Sequence, residues 1–330
     1  MIISRTPFRV SFFGGGSDYP QWYRSHGGAV LATAIDKYCY ISCRLLPPFF
    51  DYKHRLVYRK QETVNRISEI EHPAVRGVFS HFEWDEGVEI HHDGDLPARS
   101  GLGSSSSFTV GLINALRAMQ GRLISKEELG SLAIHIEQEV IRENVGSQDQ
   151  ITAAYGGFNR IDFRRDGAIE VQPIILPAAR LATFKSHLML VFTGFARLAS
   201  EVAKTKIDNL GKRAEEIKRI ARMVDEGVDI LASSRPIAEF GALLHEAWSN
   251  KRKLSDSVST EAIDRIYADA REAGAVGGKL LGAGGGGFML LFVPPAKQEA
   301  VRKRLGKFVH VPFDFEMSGS RIVVYQPNGL

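Results

Sequence analysis

Apolar and polar positions alternate differently along the chain and divide it into a strand-rich first third and a helix-rich remainder. Short apolar runs between turn residues predict strands at 2–13, 27–44, 55–58 and 88–91. Apolar residues then recur at helical spacing over 107–120, and Gly121 ends that pattern, which predicts a buried helix. Ser125 and Glu128 form a capping box, so a second helix is predicted from there to about residue 143.

A segment at 174–182, with Pro173 just before it and Pro177 within it, follows a return to strand-like patterning. We interpret it as the junction between two domains, 1–182 and 183–330. The second half predicts strands at 188–193 and 288–293. It also predicts helices at 200–232, 237–250 and 260–273, the first of them broken near Gly211 or Gly227. Because both halves mix helices and strands, the predicted fold class is α+β.

Composition supports a globular protein of two ordinary domains. The chain has 330 residues, of which 44% are hydrophobic and 24% charged, and no apolar run is long enough to cross a bilayer. The first residues lack the pattern of a secretory signal, so we expect a cytoplasmic protein with no membrane partner. The only cysteines, Cys39 and Cys43, have no partners in a metal-binding pattern, and we interpret them as reduced core residues.

The net charge of +4 is spread along the chain and includes no basic stretch interleaved with aromatic residues. This pattern favours a small anionic substrate and gives no reason to expect a nucleic-acid partner.

Three segments are rich in glycine and serine: 13–18, 100–107 and 282–287. The middle one, SGLGSSSS, runs directly into the predicted helix at 107–120. Glycines let the backbone approach a phosphate closely, and the first amides of a helix have no partner within it. The sequence therefore predicts a phosphate-binding loop at 100–107.

Two commoner nucleotide motifs do not fit. The Walker pattern is absent, because Gly278-Lys279 is followed by Leu280 where Ser or Thr is required. Glycines at 282, 284 and 287 satisfy GxGxxG, but they precede a predicted strand, whereas a dinucleotide fingerprint opens a helix. A dinucleotide-dependent oxidoreductase is thus a poor interpretation.

The three segments, in this order, resemble the motifs of the GHMP kinase superfamily, at 6–18, 97–107 and 279–288. The resemblance implies an N-terminal ATP-binding domain like domain 2 of ribosomal protein S5, a ferredoxin-like C-terminal domain, and an active site between them. Within the superfamily, the stretches 6–20, 97–116, 146–159, 244–254 and 277–288 are similar to D-glycero-D-manno-heptose 7-phosphate kinases. The implied activity is ATP-dependent phosphorylation of the C1 hydroxyl of that sugar phosphate.

The resemblance also implies roles for individual residues. Asp149, in the segment GSQDQ, matches the catalytic base, and Arg9 matches a basic residue that stabilises charge on Asp149 and on the transferred phosphoryl group. Glu137, on the inward side of the second predicted helix, is implied to bind Mg²⁺ together with Ser105. The residues implied to bind ATP are Pro97, Ser100, Gly101, Leu102, Gly103, Ser104, Ser105 and Ser106.

Predicted contacts to the acceptor sugar come from three places. Gly15 and Gly16 stand where the best-known members have Glu-His, so Asp18 alone carries over from that motif, with the two glycines beside it. Lys251 is a candidate for binding a second phosphate. The glycines of the third segment predicted to approach the substrate are Gly284, Gly285 and Gly286.

Two other functions remain open on the sequence alone. A neutral-sugar kinase of the L-fucokinase type would lack a basic cluster at the sugar, and a non-catalytic GHMP-fold protein would bind nucleotide without turnover. The four residues Arg9, Ser105, Glu137 and Asp149 favour a catalytic protein.

Overall fold

The computed structural model describes residues 1–194, 205, 207 and 211–327. The strands of this part of the chain are β1 (Ile2–Phe13), β2 (Gly28–Leu45), β3 (His54–Val57), β4 (Gln61–Val64), β5 (Val88–Gly94), β6 (Phe158–Phe163), β7 (Ile169–Pro173), β8 (Leu188–Phe192), β9 (Gly277–Leu280), β10 (Phe288–Phe292), β11 (Val309–Val311) and β12 (Arg321–Tyr325).

The α-helices of the described residues are α1 (Pro20–His26), α2 (Pro73–His81), α3 (Ser104–Met119), α4 (Lys126–His135), α5 (Gln148–Tyr155), α6 (Ala178–Ser186), α7 (Ala214–Ala232), α8 (Ala238–Arg252), α9 (Glu261–Glu272) and α10 (Gln298–Arg304). A π-helical turn, Ile136–Val140, extends α4. No helix of the described ranges is long and apolar enough to cross a membrane.

The first sheet contains the strands predicted for the first third of the chain. Its order is β12-β1-β2-β5-β3-β4, and β6 also pairs with β2 and carries β7 on its far side. The long pairing of β1 with β2 is antiparallel, and α3 packs against both strands. Cys39 and Cys43 lie in β2 and are buried and free, as predicted.

We predicted that the end of the chain belongs to the second domain, but in the structure its last strand is part of the first sheet. β12 pairs with β1 in the first sheet, with Tyr325 opposite Ile2. The edge of β1 that faces away from β2 offers unpaired backbone groups, and β12 satisfies them. A boundary based on local composition cannot detect such a return. The division near 182 otherwise stays a prediction.

The second sheet has the order β11-β8-β10-β9 and is antiparallel throughout. With the helices around it, it completes the predicted α+β fold. Nine residues of the helix predicted at 200–232 lie outside the described part of the chain: 200–204, 206 and 208–210. The predicted break near Gly211 agrees with a turn at 211–213, after which α7 begins and continues through Gly227 without a break. A Cβ at Gly227 would lie 2.7 Å from the ring of Phe13, so this glycine lets α7 approach β1 closely.

An aromatic cluster joins the two sheets. The ring of Phe240 in α8 lies 4.9 Å from that of Phe13 in β1 and 4.7 Å from that of Phe184 in α6. The segment predicted as a junction therefore enters a helix, α6, whose Phe184 is fully buried in this cluster. Because the two sheets share a packed core, the loops between them are held in a fixed relation.

Candidate functional site

The predicted phosphate loop leads into α3. The helix begins at Ser104, three residues earlier than predicted. Gly101 and Gly103 have φ values of 85° and 74°, which the absence of a side chain permits. α3 begins at Ser104, so the first amides of the helix have no partner within it. Pro97 is exposed and Ser100 is buried at the start of the same loop. The loop presents the kind of backbone donors that bind a phosphate.

Arg9 and Asp149 form a bidentate ion pair directly beside this loop. Arg9 Nε and Nη2 donate to the two carboxylate oxygens of Asp149, each at 2.7 Å, and Nη1 donates to the carbonyl of Gly101 at 2.5 Å. Arg9 is buried in β1, whereas the Asp149 side chain, at the start of α5, is 25% exposed. The structure thus brings the two predicted catalytic residues together. A carboxylate has about four acceptor sites, so Asp149 can still accept a proton from the open side.

The third glycine segment packs against the phosphate loop through its backbone. A Cβ at Gly101 would lie 2.6 Å from the carbonyl oxygen of Leu281, and one at Gly287 would lie 2.1 Å from that of Ser100. The amide of Phe288 donates to the Ser100 carbonyl at 3.0 Å. Larger residues at these glycines would therefore push the two loops apart.

Gly284, Gly285 and Gly286, which were predicted to approach the substrate, are buried against protein. A Cβ at Gly284 would lie 2.8 Å from the Cα of Val258, and the Gly285 amide donates to the Val258 carbonyl at 3.0 Å. This close packing accounts for the glycine at 284, and the φ of 78° at Gly285 favours glycine there.

Two buried lysines hold the third loop in place. Lys251 Nζ donates to the carbonyls of Leu280 and Gly282, both at 2.7 Å, and Lys279 Nζ donates to the carbonyl of Phe12 at 2.8 Å. We predicted that Lys251 binds a substrate phosphate. The structure places two donors of its ammonium group on the backbone of this loop, and its contact with a phosphate stays a prediction. Burial at the end of α8, beneath the loop, brings the ammonium group to these carbonyls.

Glu137 is fully buried, as its inward position in the sequence pattern predicted. It lies in the π-helical turn after α4, where its Oε2 accepts hydrogen bonds from Ser106 Oγ at 2.8 Å and from Gln150 Nε2. Its Oε1 has no hydrogen-bond partner among the described residues. Burial raises the pKa of Glu137 to about 7, and the nearby polar side chains of Thr109, Ser106 and Gln150 partly oppose this effect.

The serine beside Glu137 is Ser106, whereas Ser105, the serine that the resemblance implied, is exposed on the first turn of α3. The sequence could not separate them, because four serines follow each other and their helical phase depends on where α3 begins. A start at Ser104 turns Ser106 inward.

The oxygen atoms near Glu137 fit Mg²⁺. In the described parts of the chain no three His, Cys, Asp or Glu residues cluster so that they could hold a metal by themselves. One carboxylate with an unused oxygen and one hydroxyl are nevertheless the sparse set that suits Mg²⁺, which keeps several waters and binds phosphate oxygens.

Asp18, predicted to contact the sugar, is buried below the first glycine segment. Its Oδ1 accepts from the Gly16 amide at 2.8 Å, and its Oδ2 accepts from Gln148 Nε2 at 3.0 Å. Burial raises the pKa of Asp18, and the charge of Asp149 adds to this effect. Sequence reasoning missed Gln148, whose only signal was its position beside Asp149.

A groove of about 660 Å³ lies elsewhere on the surface, at the β6–β7 hairpin and α7. Its walls are mainly charged side chains, and it includes none of the predicted site residues. The candidate site is instead the place where the glycine loops, Arg9, Glu137 and Asp149 converge.

Two protein-family models match separate parts of the chain. Residues 65–157 match the family model for the GHMP kinases N terminal domain, and residues 230–311 match the model for the GHMP kinases C terminal region. The first range contains the phosphate loop, Glu137 and Asp149, and the second contains the third glycine loop.

Relatives match nearly the whole chain. A D-glycero-alpha-D-manno-heptose 7-phosphate kinase from Campylobacter jejuni is 29% identical over 93% of both chains. A bifunctional fucokinase/GDP-fucose pyrophosphorylase from Arabidopsis thaliana is 27% identical over 94% of this chain but only 31% of its own length. The crystal structure of a D-glycero-D-manno-heptose 1-phosphate kinase from Bacteroides thetaiotaomicron superposes with a TM-score of 0.81 at 25% identity, over 99% of this chain and all of that one. With both family models matched in order around one site, this chain belongs to the GHMP kinases and is a phosphotransferase of that family.

Proposed function

We propose that this kinase transfers the γ-phosphate of ATP to a hydroxyl group of a sugar phosphate, and that its acceptor is the anomeric C1 hydroxyl of D-glycero-D-manno-heptose 7-phosphate. The observation that carries the proposal is the bidentate pair of Arg9 and Asp149 against the carbonyl of Gly101. It puts a carboxylate and a fixed cation beside a phosphate-binding loop, which is what phosphoryl transfer to a hydroxyl requires.

Asp149 acts as the general base. Its side chain is open on one side and fixed by two hydrogen bonds on the other, so it can accept the proton of the attacking hydroxyl in a defined orientation. Arg9 holds that orientation and carries the positive charge nearest to Asp149. Because the guanidinium is rigid and bidentate, a lysine at position 9 could not replace both functions.

The backbone amides of Gly101 to Ser106 bind the phosphates of ATP. Ser106 and Glu137 would hold Mg²⁺ between them, with the exposed hydroxyl of Ser105 available to the phosphates or to the ion's waters. When bound, Mg²⁺ neutralises phosphate charge during transfer. This assignment gives the unused Oε1 of Glu137 a partner.

The acceptor is inferred from the relatives. The Campylobacter relative is named for heptose 7-phosphate, whereas the Bacteroides structure is named for heptose 1-phosphate. The two names differ in the position of the phosphate that the acceptor sugar already carries, C7 or C1. We propose that the acceptor carries its phosphate at C7 and that the new phosphate is added at C1.

The test is a panel of acceptors with ATP: heptose 7-phosphate, heptose 1-phosphate, L-fucose and D-galactose. ADP release measures turnover, and phosphorus NMR locates the new phosphate. We expect the highest kcat/KM with heptose 7-phosphate and a product phosphorylated at C1. A preference for heptose 1-phosphate would reverse the position assigned, and ADP release that no sugar stimulates would refute the sugar kinase.

One observation favours a second candidate, a neutral-sugar kinase of the fucokinase type. Lys251, the expected ligand of a second phosphate, directs its ammonium group to two backbone carbonyls. The fucokinase relative also matches 94% of this chain. A higher kcat/KM with L-fucose than with either heptose phosphate would establish this candidate.

A further inference from the structure

The side chains of Ser11 and Gln148 leave two polar atoms unpaired beside the catalytic pair. Ser11 Oγ and Gln148 Oε1 are buried and have no hydrogen-bond partner among the described residues. The two residues are only 5% and 9% exposed. Buried polar atoms are nearly always paired in folded proteins, so two such atoms at one place point to a missing ligand.

Both residues are close in sequence to the catalytic pair. Ser11 follows Arg9 by two residues in β1, so the two side chains lie on the same face of the strand, and Gln148 directly precedes Asp149. Gly15 lies beside both side chains: a Cβ at Gly15 would lie 3.5 Å from Gln148 Nε2 and 3.8 Å from Ser11 Oγ. The glycine therefore leaves space where a side chain would stand.

Asp18 determines which end of the Gln148 amide remains unpaired. A carboxylate accepts hydrogen bonds and an amide nitrogen donates them, so Gln148 Nε2 turns toward Asp18 Oδ2, at 3.0 Å. The second oxygen of Asp18 is held by the Gly16 amide at 2.8 Å, which fixes the carboxylate. The amide oxygen of Gln148 then faces the other way, as an acceptor.

We propose that Gln148 Oε1 accepts a hydrogen bond from a hydroxyl of the acceptor sugar, that Ser11 Oγ assists it, and that Asp18 is a positioning residue that orients the Gln148 amide. An amide oxygen above a buried carboxylate suits a neutral hydroxyl donor and repels a phosphate. The phosphate of the substrate therefore lies away from this part of the pocket. The inference rests on the proposed sugar kinase and names the group that recognises the sugar.

The test uses Gln148→Met, which keeps the side-chain volume but removes both polar atoms, with Gln172→Ala on the exposed face of β7 as the matched control. We expect Gln148→Met to raise the KM for heptose 7-phosphate about tenfold or more and to leave the KM for ATP unchanged. The reason is that removing a hydrogen bond to a substrate hydroxyl weakens binding of that substrate by at least this factor. Analogues that each lack one hydroxyl identify the group: with one of them, wild type and Gln148→Met should have equal KM.

Asp18→Asn tests the positioning role. An asparagine can donate to Gln148 Oε1 and reverse its amide, so the sugar KM should rise as in Gln148→Met. The double variant should be no worse than the poorer single variant. Additive losses would mean that Asp18 contacts the sugar itself. Ser11→Ala, a small change, should raise the sugar KM less and serves if another variant fails to fold.

Calorimetry of sugar binding without ATP separates this inference from the proposed function. Gln148-dependent sugar binding without phosphoryl transfer would refute the kinase and keep the inference. Phosphorylation of heptose 7-phosphate with the same KM in wild type and Gln148→Met would overturn the inference and keep the kinase. A chain that binds no sugar would overturn both.

Discussion

The two adjacent serines Ser105 and Ser106 differ in where their hydroxyl groups lie. Ser106 donates to the buried Glu137, whereas Ser105 is exposed on the same helical turn. We predict that Ser106→Ala raises the Mg²⁺ concentration for half-maximal activity roughly tenfold, since loss of a group at a metal site commonly costs that much affinity.

Ser105→Ala is the matched control for Ser106→Ala and should shift the Mg²⁺ midpoint less. Activity is titrated against Mg²⁺ at fixed ATP for both variants and wild type. A midpoint that moves with Ser105→Ala and stays in place with Ser106→Ala would reverse the assignment of the two hydroxyls.

Arg9 differs from Arg5, the other cation of β1, in making two parallel hydrogen bonds to one carboxylate. Lysine keeps the charge but cannot form this fork, so Arg9→Lys should lower kcat at least tenfold with a smaller change in sugar KM. Arg5→Lys, in the same strand but beside Tyr38 and Glu316, is the control and should retain activity. If Arg9→Lys changes only the sugar KM, Arg9 belongs to the sugar pocket.

The resemblance to the GHMP kinases selected Arg9, Glu137 and Asp149, and residue types alone did not. The contact between Arg9 and Asp149 joins positions 140 residues apart, and only the family resemblance could suggest it. The roles of Lys251 and Ser106 were not accessible, because they depend on helical phase and on which carbonyls lie above a helix end. A charged residue in a sequence does not show which group it contacts in the fold.

The phosphate loop and the third glycine loop depend on each other at the level of elements. A Cβ at Gly101 would meet the Leu281 carbonyl at 2.6 Å, and its φ is 85°. Gly167, with a φ of 92° and nothing within 4 Å of its absent Cβ, has the same backbone strain without the contact. We predict that Gly101→Ala weakens ATP binding at least tenfold, because a displaced loop amide loses its phosphate contact.

Gly167→Ala should leave ATP binding unchanged and lower the melting temperature only slightly, because positive φ costs an alanine about 1 kcal/mol. Calorimetric titration with ATP and a thermal melt of both variants make the comparison. Equal ATP affinities for Gly101→Ala and wild type would show that the two loops do not need this contact.

Lys251 links α8 to the third glycine loop through two carbonyl oxygens. Replacing it by methionine leaves those buried acceptors unsatisfied, which costs about 2–4 kcal/mol of unfolding free energy. Lys251→Met should therefore melt at a lower temperature and lose activity, whereas Lys253→Met, an exposed neighbour, should do neither. A stable Lys251→Met protein that fails only with phosphorylated sugars would restore Lys251 to the substrate site.

Most elements could be predicted from periodicity, and β1, α3, α8 and β10 lie within a few residues of their predicted bounds. The π-helical turn at Ile136–Val140 was predicted as ordinary helix. Five residues are too few for sequence periodicity to distinguish this turn from ordinary helix. The turn carries Glu137, and π-helical turns occur frequently at functional sites.

On the scale of the whole molecule, the aromatic cluster around Phe240 and the return of β12 to β1 connect the two sheets. Neither was predicted, since each depends on contacts between distant parts of the chain. The candidate site combines residues of β1, α3, α5 and the third glycine loop, and Arg9 and Asp149 are in contact there. Reacting groups that are held in place before the reaction lower its entropic cost.

The claim that this assembled site transfers a phosphoryl group through Asp149 is tested most directly by Asp149→Asn. The kcat with heptose 7-phosphate and the Kd for ATP are measured for this variant, for wild type, and for Asp166→Asn, a control in the exposed β6–β7 turn. We predict that Asp149→Asn lowers kcat by about 10²–10⁴ with an unchanged Kd for ATP, because a positioned base contributes that factor to the chemical step and not to nucleotide binding. A kcat within a few-fold of wild type would contradict the account.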